Sequence, residues 1–336
     1  MFRPGSTPTS SRPSSVVPER RLEPIPMAPV RWRAIPVRSA LDPALGRTGC
    51  DANLDPYVGC AKGCLFCWAR SFDVPNSRQG SLSELGAKLE LPQALAAALP
   101  RAESIRLRLG GRCEPFPDLE ASLGLTRACL RVLAKSPASS RITLEVCTRS
   151  ASVLDEVDLL LTLGSSVTIG LSTCPRTLAE SLEPGAPSVQ ERLELVTQLS
   201  RAGLSVGVEL HPILPGLGDD RLSLRRAVCA AASAGATYLR GSLLQVRDDA
   251  RKSLLEWVGE AAPDQTPRYR RLYGGRGSRR RRRNAELQVA ERVSCTLAEL
   301  RCDYRLAPEP PWPPRSAAGP VAGANAPHQF DLFEAA

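Results

Sequence analysis

The chain has 336 residues, 43% hydrophobic and 24% charged, with 44 Lys+Arg against 35 Asp+Glu for a formal net charge of +9. That length suits one large domain or two small ones, and the composition excludes a collagen, a disulfide scaffold and a wholly disordered chain. The longest apolar stretches are broken by Gly, Ser or charge well short of the about 20 residues a membrane span needs, so no membrane contact is expected. In chain order, residues 1–35, opening MFRPGSTPTSSRPSSVVPERR, lack the apolar core of a secretory signal and read as a disordered Pro/Ser/Arg-rich extension. Repeated prolines with Glu19 and Glu23 argue against an amphipathic organellar leader, which leaves the cytoplasm. Eleven cysteines, most of them dispersed singly, suit reduced thiols in that compartment.

Residues 36–260 form the expected catalytic domain. Strand-like runs at Ile105 to Leu109, Ile142 to Cys147, Val167 to Ser172, Ser205 to His211 and Tyr238 to Leu244 alternate with helical patterns. The helices are expected at Ser83 to Leu99, Leu119 to Lys135, Val153 to Leu163, Val189 to Ala202 and Leu222 to Ala234, with Gly203 and Gly235 as stops. With a short strand before Cys60 this makes six βα units, an α/β fold of partial (β/α)6 barrel type. Alternate strand residues point to opposite sides. One side is apolar (Ile105, Leu107, Leu109, Leu144, Val146, Val208); the other carries Arg106, Arg108, Glu145, Glu209 and Arg240. Those arginines are expected to face Glu145 and Glu209 across an open lumen that takes a polar ligand, the alternative being exposed faces of an ordinary sheet.

The densest chemistry lies in DPYVGCAKGCLFCWAR, Asp55 to Arg70, where Cys60, Cys64 and Cys67 stand as C-x3-C-x2-C. Zinc would want a fourth ligand, for which Cys50 is the nearest spare thiol; His211 and His328 are not local. A [4Fe–4S] cubane held by three thiolates leaves one iron open to a substrate or cofactor. At the mouth of the first strand of a six-unit barrel, this loop resembles that of the radical S-adenosylmethionine (SAM) enzymes, C-x3-C-x-aromatic-C, with Phe66 at the aromatic position.

The likeness narrows to the spore photoproduct lyase-like branch, whose loop reads N-P-Y-x-G-C-x-H-G-C-x-Y-C-Y-A-R. Thr148-Arg149-Ser150 resembles that branch's T-K-S, the stretch Leu182 to Leu217 resembles its L-E-P-x-A-P-S…P-x-I-P-G-L segment, and Arg268 to Gly274 resembles its R-Y-x-R-L-Y-G element. The resemblance implies one [4Fe–4S] cluster on Cys60, Cys64 and Cys67. SAM would chelate the open iron, and its one-electron reduction, fed by a carrier such as flavodoxin or ferredoxin, would yield methionine and a 5′-deoxyadenosyl radical. Phe66 would lie near the adenine, and Gly110 and Gly111 would let backbone approach the SAM amino group or simply end a strand. Arg149 would reach the SAM carboxylate or pair with Glu145. Ser172 would meet the ribose or satisfy a local hydrogen bond, and Cys113 in GGRCEPFPD would quench a substrate radical or sit passively. Lys62 and His211 depart from the branch's pattern. The implied activity is repair of damaged DNA; the rivals are a radical SAM enzyme acting on RNA or a peptide, and a non-catalytic iron–sulfur adaptor that binds nucleic acid.

Residues 261–307 read as a basic helical segment. Arg268 to Arg283 holds nine arginines and no acid, equal to the whole net charge. Flanked by Gly274, Gly275 and Gly277, its run Arg279, Arg280, Arg281, Arg282 and Arg283 is expected to be flexible and to meet DNA phosphates, or else to be a solvated loop. Residues 308–336 read as a flexible Pro-rich tail. It ends in Gln329, Phe330, Asp331, Leu332 and Phe333, which resemble the peptide that docks bacterial repair proteins on the DNA sliding clamp; the alternative is that the phenylalanines pack back on the barrel.

Overall fold

The computed structural model describes residues 31–44, 49–67, 84–99, 104–173, 175–246, 248–274 and 279–312. Strands β1 (Arg31–Ala34), β2 (Asp42–Pro43), β3 (Ala52–Leu54), β4 (Tyr57–Val58) and β5 (Glu84–Ala87) precede helix α1 (Leu91–Ala98) and β6 (Ile105–Leu109). Then come α2 (Glu120–Leu123), α3 (Leu125–Lys135), β7 (Ile142–Thr148), α4 (Val157–Thr162), β8 (Ser166–Leu171), α5 (Arg176–Leu182), α6 (Val189–Arg201) and β9 (Ser205–Ile213). Helix α7 (Arg221–Ser233), β10 (Tyr238–Leu243), α8 (Asp248–Ala261), α9 (Thr266–Tyr273) and α10 (Arg279–Asp303) complete the chain.

The main sheet runs β10-β9-β8-β7-β6-β3-β2, with six parallel strands in sequence order and antiparallel β2 on one edge. This is the partial (β/α)6 barrel. Its outer face buries Ile105, Leu107, Leu144, Val146, Val167 and Val208 beneath the helices, as the alternation requires. Helix α6 starts at a capping box in which Ser188 and Glu191 satisfy each other's backbone N–H groups. Helix α10 lays Val293, Leu297 and Leu300 into the same core, against β10. No described helix is long and apolar enough to cross a membrane.

Four expectations are corrected. Arg31 to Ala34, assigned to the disordered extension, form β1, paired with β5 in a small sheet of order β1-β5-β4. Ser83 to Leu99 is not one helix: Glu84–Ala87 is strand β5, and Pro92 fits only the first turn of α1 because a proline further in would lose a hydrogen bond and clash. Leu119 to Lys135 breaks at Gly124, whose left-handed φ of 57° caps α2 and restarts the chain as α3. Finally, residues 308–312 are not free tail. Ala307 bridges Tyr238, donating to Thr237 O (3.0 Å) and accepting from Leu239 N (2.9 Å), and Pro310 is buried. Glu309 pairs with Arg240 (3.2 Å), and Trp312 lies over Arg106, 5.7 Å from guanidinium carbon to ring centroid. This strap closes the end of the barrel where the strands begin.

Candidate active site

The opposite end, where strands β3, β6, β7, β8 and β9 finish, carries the three-cysteine loop. The loop is pinned to the turn after α5: Leu65 N donates to Leu182 O (3.0 Å) and Gly185 N to Lys62 O (2.8 Å). Gly63, with φ of 70°, makes the bend between Cys60 and Cys64, and Cys67 N closes a turn on Cys64 O (3.2 Å). Phe66 is buried and meets the His211 ring edge-on, with centroids 5.6 Å apart, while the Arg149 guanidinium lies 5.9 Å from the Phe66 centroid.

Burial pushes the Cys64 thiol well above its usual pKa, with Glu183 adding to the rise and Arg149 opposing it. Burial likewise pushes Cys60 up to about 11, and Cys67 adds to that rise. Thiols held protonated by burial are a donor set waiting for a cationic centre, since binding exchanges their protons for metal charge. Among the described residues, no three such side chains converge as a single ion requires. In a cubane each thiolate takes its own iron, so three thiols in one loop fit that group. Cys50 cannot be a fourth ligand: it precedes Asp51, whose N–H meets Arg106 O (2.8 Å) at the strap end of the barrel.

Arg149 does not pair with Glu145. Its Nε donates to Glu183 Oε1 (3.2 Å) and its Nη2 to His211 O (3.0 Å), while its backbone N–H donates to Glu114 Oε2 (3.0 Å). Glu183 also accepts from Arg192 Nη2 (2.7 Å), and Arg192 Nη1 reaches Gly170 O (2.8 Å). One buried carboxylate thus ties the cysteine loop's floor, the end of β7 and helix α6 together. His211 Nδ1 is 2.9 Å from Ser242 Oγ; burial holds the imidazole below its usual pKa despite Glu209.

Beneath this site the lumen is packed rather than open. Glu145, wholly buried, accepts from Arg108 Nη2 (2.8 Å), Arg240 Nη2 (2.5 Å) and Thr168 Oγ1 (2.5 Å), and Thr168 in turn meets the Tyr238 hydroxyl (2.7 Å). Glu209 lies 3.9 Å from Arg240 Nε; although burial alone would raise its carboxyl, Arg240 leads the charges that hold it below the usual range. Arg108 and Arg240 therefore face the two glutamates as expected, but in contact with Glu145 rather than across a ligand. Arg106 turns to Trp312 instead.

The remaining expected residues lie around the rim. A side chain at Gly110 would meet Cys147 O at 2.3 Å and one at Gly111 would meet Asn53 Oδ1 at 2.1 Å, so both close approaches are to neighbouring strands. Ser172 is buried just beyond β8. Cys113 is buried with Tyr57, Ala87 and Leu125, its Sγ 3.7 Å from Asp55 Oδ1; burial raises its thiol well above the usual pKa, and Asp55 and Cys60 add to that. Asp55 accepts from Arg112 N (3.1 Å) through Oδ1, while Oδ2 is buried without a hydrogen-bond partner among the described residues. The backbone of Arg279 to Arg283 is helical, opening α10 rather than forming a flexible run. Gln329, Phe330, Asp331, Leu332 and Phe333 lie outside the described residues. Sequence reasoning missed the roles of Glu183, Glu114 and Asp55. Glu183 could have been found, since it sits in the quoted L-E-P segment nine residues before Arg192.

Comparisons with known proteins converge on this loop and barrel. The profile of the radical SAM superfamily matches residues 54–226. An uncharacterized protein of Mycobacterium tuberculosis is 28% identical over 291 residues, covering 84% of this chain and 81% of its own length. One of Methanocaldococcus jannaschii is 25% identical over 168 residues, 49% of this chain and 61% of its own. Among solved structures, a point mutant of spore photoproduct lyase matches with a TM-score of 0.58 and 13% identity, covering 81% of this chain and 79% of that one. A mutant of the same lyase with bound AdoMet and dinucleoside spore photoproduct matches at 0.51 and 13%, covering 73% and 80%. At such identities the likeness is one of fold.

Proposed function

Because the chain belongs to the radical SAM superfamily, whose cofactors are a [4Fe–4S] cluster and SAM, we propose that it is a cytoplasmic DNA-repair enzyme acting on a damaged base, of the spore photoproduct lyase type. The observation that carries the catalytic part is the glycine-bent loop of three buried or half-buried thiols, fixed over Glu183 at the mouth of a six-stranded partial barrel. A cluster held by Cys60, Cys64 and Cys67 would supply the electron for reductive cleavage of SAM, and with it the radical chemistry of this superfamily. The chain's own work is placement. Cys60, Cys64 and Cys67 hold the metal centre, and Phe66 walls the adenine side. Arg149, locked by Glu183 and His211 O, offers its guanidinium to the SAM carboxylate, and Ser172 lies at the ribose. Gly110 and Gly111, after the end of β6, would let backbone approach the SAM amino group, and Cys113 beside Asp55 is the candidate hydrogen donor. The fold likeness to a lyase whose structures hold a dinucleoside spore photoproduct supports DNA as substrate. A flavodoxin or ferredoxin supplies the electron, and Gln329 to Phe333 tethers the enzyme to the sliding clamp.

Anaerobic reconstitution followed by reduction with SAM tests this reading. 5′-Deoxyadenosine is expected from the parent chain and not from Cys60→Ala, Cys64→Ala or Cys67→Ala. Irradiated DNA, but not irradiated RNA, should lose its photoproduct. A fully loaded cluster that yields no 5′-deoxyadenosine leaves only the adaptor; turnover on RNA alone moves the substrate. Pulldown with the sliding clamp should fail for Leu332→Ala with Phe333→Ala, and equal retention sinks the tether.

A further inference from the structure

Helix α9 buries Tyr269, Leu272 and Tyr273 and leaves Arg268, Arg270 and Arg271 exposed. Between α9, the first half of α10 and the loop after β9 lies a cleft of about 930 Å3. Arg268, Arg271 and Arg292 line it from the helices, and Asp219 and Asp220 from the loop. The acids are already engaged. Asp219 pairs with Arg292 and accepts from Gly216 N (2.7 Å), and Asp220 caps α7, accepting from Leu222 N (3.1 Å), Ser223 N (3.0 Å) and Ser223 Oγ (2.6 Å). Among the described residues neither Arg268 nor Arg271 has a hydrogen-bond or ion-pair partner. The cleft therefore presents two guanidinium groups with no internal anion to meet them.

Its position is set by Gly216. A Cβ there would lie 1.9 Å from Arg268 Nη1 and 2.2 Å from Gln265 Oε1, so the Arg268 side chain lies across the loop that follows β9. That is the strand whose His211 meets Phe66, so the cleft opens on the same rim as the cysteine loop. Along α10 the cleft is lined at positions 285, 288, 289 and 292. Arg268 and Arg271 stand three residues apart on α9, neighbours on one helix face, and two open guanidinium groups side by side suit a repeating anion better than a single one.

We propose that this cleft holds the phosphodiester backbone of a DNA strand, with Arg268 and Arg271 on successive phosphates, and leads that strand to the mouth of the barrel. The proposal rests on the reading of DNA as substrate and adds to it a binding path apart from the cofactor site. The test is fluorescence anisotropy of a labelled single-stranded DNA on the full-length, cluster-loaded protein as KCl is varied. Arg268→Ser with Arg271→Ser should weaken binding and reduce the slope of log affinity against log salt by about 1.4, at roughly 0.7 per phosphate on a single strand. Arg131→Ser with Arg201→Ser removes the same charge from the outer helices α3 and α6 and should leave the slope alone. An unchanged slope in the cleft variant, or an equal fall in both, overturns the proposal. So does displacement of the strand by millimolar inorganic phosphate at constant ionic strength, which marks a small-anion site, or equal affinity for RNA of the same sequence. Failure of the parent chain to form 5′-deoxyadenosine while DNA binding keeps this dependence would count against the catalytic reading and leave the cleft standing.

Discussion

Glu183 and Asp55 are buried carboxyl groups in opposite circumstances. Glu183 takes two guanidinium groups, Arg149 at 3.2 Å and Arg192 at 2.7 Å, and both it and Arg192 are buried. Glu183→Gln keeps the shape but leaves both arginines short of a counter-charge. Removing one partner of a buried pair costs about 3–5 kcal/mol, so the unfolding free energy should fall by that amount, read as a lower urea midpoint at an unaltered m value. Asp55 has the reverse problem. Burial holds its carboxyl up at about 6 from 3.8, even though the Arg112 N–H pulls the other way. The folded chain then binds this proton more tightly than the unfolded one, so stability declines as pH rises from about 4 to about 6 and stays lower above that. At 1.36 kcal/mol per unit the full penalty is about 3 kcal/mol. Asp55→Asn, which restores the asparagine of the N-P-Y loop it resembles, should be more stable than the parent by up to that amount near pH 7.5. The advantage should vanish toward pH 4, as thermal melts of the cluster-free chain would read; a constant difference across the range would place the effect elsewhere.

At the scale of elements, what the sequence made legible was whatever is local. The strands β6 to β9 are readable because each carries its apolar face within five to nine residues, and the three-cysteine loop because its thiols fall within eight positions. β5 was not readable: Glu-Leu-Gly-Ala has no strand pattern of its own and becomes a strand only through pairing with β1 and β4. The alternative partner for Arg149, Glu145, stands only four residues away in the chain, whereas the partner found, Glu183, lies 34 residues on and comes near only through the turn after α5. The strap failed for the same reason, since Pro-rich composition suggests a linker and says nothing about Ala307 adding to the edge of β10. Its closing residue gives a clean test. Trp312 covers Arg106, and its Nε1 would stand 3.3 Å from a Cβ at Gly49. Trp312→Ala should lower stability by about 1–2 kcal/mol through lost cation–π contact and packing. The loss should shrink in an Arg106→Ser background, because the two residues act on one another.

For the whole molecule, the net charge of +9 equals the nine arginines of Arg268 to Arg283, so the rest of the chain sums to zero. Eight of those nine lie on α9 and at the start of α10, beside the rim that carries the cysteine loop, and Arg276 lies outside the described residues. Five of the nine open α10, whose first turn holds no acid. Positive charge at a helix N-terminus works against the helix dipole, so this end of α10 is stabilised when an anion lies alongside. A polyanion meets that condition along its whole length, and a solvated loop does not. Replacing Arg279 to Arg283 together with Ser should therefore do more than weaken DNA binding: it should flatten the salt dependence by up to about 3.5, if each arginine neutralises one phosphate of a single strand. Combined with Arg268→Ser and Arg271→Ser, the two reductions should add, because separate phosphates release separate counterions. A combined slope no flatter than either alone would mean that both sets compete for the same phosphates, and the strand would then follow α10 without entering the cleft.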